Sequence, residues 1–130
     1  MKGTYLLVIH LQKKSSIIIG ALGRIEFQQG YYIYVGSAMG NKGSTTLLNR
    51  VKRHVDSSNN KKIHWHIDYL LDCEHSYISK ILLIPSTERL ECFFSNELKD
   101  ICDKIIYHFG SSDCSCDSHL YYFSQLRDFL

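Results

Sequence analysis

Proline is nearly missing from this 130-residue chain, which has only Pro85. That leaves no room for a flexible Pro-rich linker. No apolar run approaches the ~20 residues of a membrane span, so no membrane is expected as a partner. The early run Gly3-Thr4-Tyr5-Leu6-Leu7-Val8-Ile9-His10 is too short and too marked by Tyr and His for a secretory signal. There is no internal repeat and no low-complexity tract. The five cysteines are odd in number, which fits free thiols in a reducing cytoplasm better than a disulfide framework. The length suits one domain, 1–130, able to bury a core without metals or disulfides. Hydrophobic residues at 45% and charged residues at 22% exclude a disordered chain.

The net charge of +2 hides a division. Residues 1–66 hold ten Lys/Arg against Glu26 and Asp56, while 67–130 hold five against eleven acids. Such asymmetry points to a polyanion met by one half. The plain alternative is two halves that interleave and neutralise each other.

Thr4 to Leu11 is β-rich without strict alternation, so it reads as a central, buried strand. Gln12 to Ser16 is a polar turn, and Ile17–Ile19 and Gly23–Phe27 are short hairpin arms. Tyr31 to Ser37 is the strongest strand. Ser44 or Thr45 can cap a helix to about Asp56, with apolar stripe Leu47, Leu48, Val51 and Val55. Arg50 and His54 fall together on one flank of it, Lys52 lies on the other, and Arg53 points outward. His64–Leu71 reads as a short helix and Tyr77–Ile84 as a strand. Thr87 can cap a helix from Glu88 to about Ile106, striped by Leu90, Phe94, Leu98, Ile101 and Ile105, with Glu91 at the stripe's edge. Leu120–Phe123 is a last strand. The sum is an α+β fold, a small mainly antiparallel sheet flanked by helices.

Three features carry candidate chemistry. Taken singly, each has an ordinary reading: strand tyrosines pack, a basic helix pair is solvated, and an edge glutamate faces water. Taken together, Gly3-Thr4-Tyr5, Tyr34-Val35-Gly36, Arg50-x-x-x-His54 and a later helical Glu resemble the core of the GIY-YIG nuclease superfamily. The stretches 31–38, His64-Trp65-His66-Ile67-Asp68-Tyr69-Leu70 and Phe109–His119 resemble its Uri-type branch of small stand-alone proteins. Thr4 stands where the family has isoleucine, and a β-branched residue still suits the strand.

The resemblance implies an endonuclease, a phosphodiester hydrolase acting on DNA, with RNA not excluded. It implies one divalent metal, Mg²⁺ or Mn²⁺, held by Glu91 with water and phosphate oxygens. Arg50 would bind the scissile phosphate with its planar fork. Tyr5 or Tyr34 would be the general base, with Arg50 and the metal lowering its pKa from about 10. His54 would orient that tyrosine or take its proton. Lys42, Lys52, Arg53, Lys61 and Lys62 join Arg50 against Asp56 to form a basic surface, which equally suits a nucleic-acid-binding module without catalysis. In the Cys114-x-Cys116-x-x-His119 run, Cys114, Cys116 and His119 are candidate zinc ligands, with His66 or Cys73 as a fourth. The plainer reading makes Cys114 and Cys116 small buried thiols and gives His119 hydrogen bonds. A structural zinc protein with an interaction role, and a homo-oligomer, both stay open.

Overall fold

A computed structural model of the chain describes residues 1–56, 63–111 and 116–126. Strand β1 (Gly3–Leu11) lacks alternation because both its faces are covered. Tyr5, Leu7, Ile9 and Leu11 enter one core, Leu6 and Val8 another. Strand β4 (Gly30–Ala38) divides in the same way, Tyr32 and Tyr34 against Ile33 and Val35. Helices α1 (Leu47–Val55) and α2 (His66–Leu71) fill the first core with Leu47, Val51, Ile67 and Leu70. Helix α3 (Glu91–Ile101) closes the second with Leu98 and Phe94.

The sheet adds β5 (Ser76–Pro85), β6 (Lys104–Ile105) and β7 (Leu120–Phe123) in the order β5-β1-β4-β7-β6. Every pairing in it is antiparallel. Strands β2 (Ser15–Ile18) and β3 (Arg24–Phe27) form a separate hairpin within the β1–β4 connection. The fold is therefore α+β, an antiparallel sheet flanked by helices.

Local details differ from the expectations. Strand β2 begins at Ser15, inside the expected polar turn. Helix α1 is capped by Thr46, whose hydroxyl accepts from the Asn49 N–H, while residues 43–45 form a 3₁₀ turn. Leu48 and Val55 are more than half exposed, and the buried line is Leu47, Val51 and His54. That line is the i, i+4, i+7 row of one helix face, and the imidazole takes the place expected for Val55.

Helix α3 is shorter at both ends than the expected 88–106. The Ser86 hydroxyl accepts from the Glu88 N–H, so the chain turns there before the helix begins. At the other end Cys102 is extended, and Ile105 pairs with β7. Ile105 continued the apolar period but belongs to a strand, and Ile101 is 39% exposed.

The link between α1 and α2 is an ion pair. Asp68 is fully buried, and Arg53 grips both its oxygens at 2.9 and 3.0 Å. The backbone N–H groups of His64 and Trp65 also donate to its Oδ2. This corrects the outward position expected of Arg53. Burial works to raise the Asp68 carboxyl, but hydrogen bonds from Arg53, Trp65 and His64 outweigh it and hold it below its ordinary 3.8. A folded value below the unfolded one stabilises the fold fully above the unfolded pKa, and that contribution fades as pH falls through the folded value. Arg53→Ala strands a buried carboxylate and is expected to cost about 3 kcal/mol at neutral pH. Urea unfolding followed by circular dichroism should show that loss, with acid unfolding moved to higher pH.

Candidate active site

Strand register places the two tyrosines. Tyr5 lies opposite Gly36, and Leu7 opposite Tyr34, so Tyr5 and Tyr34 are diagonal neighbours on one face. Their ring centroids are 6.4 Å apart. Gly36 is what lets the Tyr5 ring lie down: a Cβ there would stand 2.3 Å from Tyr5 Cζ.

Helix α1 lies across this face. Its buried His54 brings Nε2 to 2.8 Å from the Tyr5 hydroxyl. Arg50, one turn earlier, donates from Nη1 to the Ser37 carbonyl at 3.1 Å. Its guanidinium carbon sits 5.0 Å from the centre of the Trp65 ring, and that of Arg53 4.4 Å from the same centre. Arg53 is neutralised by Asp68, whereas no carboxylate lies within ion-pair distance of Arg50 among the described residues. The buried Arg50 Nε has no hydrogen-bond partner among those residues either.

Glu91 opens α3 on the other side of the sheet, and Ser37 joins it to Arg50. Ser37 gives its carbonyl to Arg50 and donates its hydroxyl to Glu91 Oε1 at 2.5 Å. Arg89 Nη1 stands 3.5 Å from Glu91 Oε1, and His119 Nδ1 stands 3.6 Å from Oε2.

Tyr5, Tyr34, Arg50 and Glu91 all line one cleft of about 340 Å³. His54 stands behind Tyr5 and does not line it. Burial chiefly, then Tyr34, pushes the Tyr5 hydroxyl well above 10, and the nearby Arg50 guanidinium only offsets this. Arg50 does act to lower this tyrosine's pKa, as expected, but desolvation outweighs the cation.

Ser37, Trp65 and Arg89 also line the cleft, and sequence reasoning did not single them out. Ser37 follows the Tyr34-Val35-Gly36 motif directly, and Arg89 stands two residues before Glu91; those adjacencies were the available signals. His66 lines it too, with Nδ1 accepting from the Gly110 N–H at 2.9 Å, and burial lowers its pKa.

Of the expected basic surface, Lys42 and Lys52 are exposed, Arg53 is committed to Asp68, and Lys61 and Lys62 lie outside the described residues. Cys114 lies outside them as well. Cys116 is joined to Cys92 as a disulfide, which corrects the expectation of free thiols throughout; Cys73 and Cys102 are free. Cys92 opens α3 and Cys116 precedes β7, so only the folded sheet brings them together. Neither His66 nor Cys73 joins Cys116 and His119; the third donor there is Cys92.

Gly36→Ala is expected to displace the Tyr5 ring and cost about 1–3 kcal/mol, the usual range for overpacking. Denaturant titration measures the cost. Loss of the Tyr5–His54 contact should appear as a changed imidazole resonance in NMR spectra.

A search of curated proteins and a search of solved structures found no match. The family model described as "Domain of unknown function DUF123" matches residues 4–130. With nearly its whole length covered, the chain belongs to the DUF123 family.

Proposed function

We propose that this protein is a divalent-metal-dependent endonuclease of the GIY-YIG kind that hydrolyses phosphodiester bonds in DNA. The observation that supports it is the convergence of Tyr5, Tyr34, Arg50 and Glu91, from four separate elements, on one cleft. Glu91 is a single carboxylate at that cleft, a hard oxygen donor suited to an ion that keeps most of its waters. Mg²⁺ or Mn²⁺ held there supplies positive charge for the phosphate and the leaving oxygen.

Arg50 binds the scissile phosphate. Its carbonyl bond to Ser37 and its place over Trp65 fix the guanidinium before substrate arrives, and its unmatched Nε supplies a donor. Before a metal binds, burial raises the pKa of the Tyr5 hydroxyl, which favours its keeping the proton until water attacks. The hydroxyl then passes that proton to His54 as its oxygen takes one from the attacking water. His54 is a positioning and proton-accepting residue that acts through Tyr5. Tyr34 narrows the cleft beside it. Lys42 and Lys52 give exposed positive charge for neighbouring phosphates.

Purified protein with Mg²⁺ or Mn²⁺ is expected to nick plasmid, branched or single-stranded DNA, and chelation should stop it. Glu91→Gln and Tyr5→Phe should each lower the rate at least about 100-fold with folding intact. His54→Gln should lower kcat with little change in KM. Nicking that survives both Tyr5→Phe and Glu91→Ala would sink the assignment, and salt-dependent binding without cleavage in any metal would select a non-catalytic binding module.

A further inference from the structure

Beside the cleft stands a second group of donors. Cys92 is the second residue of α3, and Cys116 and His119 lie just before β7. One ligand atom from each of the three lies within 4.8 Å of the others. A disulfide requires only the two sulfurs. The third donor is a histidine that is 2% exposed, with Nδ1 3.6 Å from the Glu91 carboxylate. A carboxylate supporting an imidazole is the usual outer arrangement around a metal-bound histidine.

We propose that Cys92, Cys116 and His119 hold one zinc ion when the cysteine pair is reduced. Two thiolates and an imidazole are the donors zinc prefers, and Mg²⁺ and Mn²⁺ favour oxygen. The charges balance: two thiolates neutralise the ion, so no net charge is added beside buried His119. Reduction by a phosphine adds two electrons; the phosphine takes the oxygen of one water and becomes its oxide, and the water's two protons complete two thiols. Zinc then displaces both thiol protons and binds neutral imidazole. Three protein donors leave one tetrahedral position for water or a further side chain. Bound zinc ties the segment before β7 to the first turn of α3, where Glu91 begins. The disulfide is the oxidised alternative of the same clamp. This site does not depend on the nuclease reading.

The test uses the whole protein, made with zinc, reduced with a non-chelating phosphine and purified without chelators. Metal analysis should find one zinc per chain, and Co²⁺ exchange should give thiolate charge-transfer and tetrahedral bands. Cys92→Ser and Cys116→Ser should each weaken binding at least tenfold, and Cys73→Ser and Cys102→Ser should not. Glu91→Gln should keep zinc at an affinity about tenfold lower while losing Mg²⁺-dependent cleavage, which separates the two metals. Should the serine variants misfold, alkylation of the wild type decides: zinc should shield Cys92 and Cys116 and leave Cys73 and Cys102 reactive. A reduced, folded wild type without zinc or a cobalt spectrum overturns the proposal, as does equal alkylation with and without zinc.

Discussion

The Tyr5 ring lies across a backbone that has no side chain to stop it. Gly36 faces Tyr5 in the β1–β4 register, and the ring fills the space a Cβ would take. That contact sets the height of the hydroxyl above the sheet, and so the height at which α1 must lie for His54 to reach it at 2.8 Å. Once α1 is set, Arg50 one turn earlier is carried to the cleft. Its partner Ser37 is the residue next to Gly36, so one short stretch of β4 governs both halves of the cleft.

Ser37 is the second organising point. Its carbonyl serves the helix on one face of the sheet and its hydroxyl the helix on the other. Arg50 and Glu91 come from helices that do not share a core, yet both are anchored on the same residue. The Arg53–Asp68 pair does comparable work at a distance: it ties α1 to α2 and sets Trp65 beside both guanidinium groups. A cation read from sequence as part of a binding surface is in fact structural.

Much of this was legible in the residues. The apolar run of β1 foretold a central, buried strand, β4 was legible as the strongest strand, and Tyr5, Tyr34, Arg50 and Glu91 were legible as candidates from their motifs. The helix ends were less legible, because Ile105 kept a helical period while belonging to a strand. The role of Arg53 was hidden because its partner is fifteen positions away in another element. The approach of Cys92 to Cys116 and His119 was hidden for the same reason, since spacing within one segment says nothing of a donor from another. That desolvation would outweigh Arg50 at Tyr5 was not legible, because charge can be counted in a sequence and burial cannot.

A strand that is apolar on both sides gives little resistance to slipping by one position. In β1 such a slip exchanges Tyr5 and Leu7 with Leu6 and Val8, and either set suits an oily layer. What distinguishes the registers is size: only one sets the broadest side chain of the strand's first half against the residue with none. The pairing that builds the cleft thus also serves as the alignment key by which the two central strands find each other, and a chain that folds out of step has no cleft.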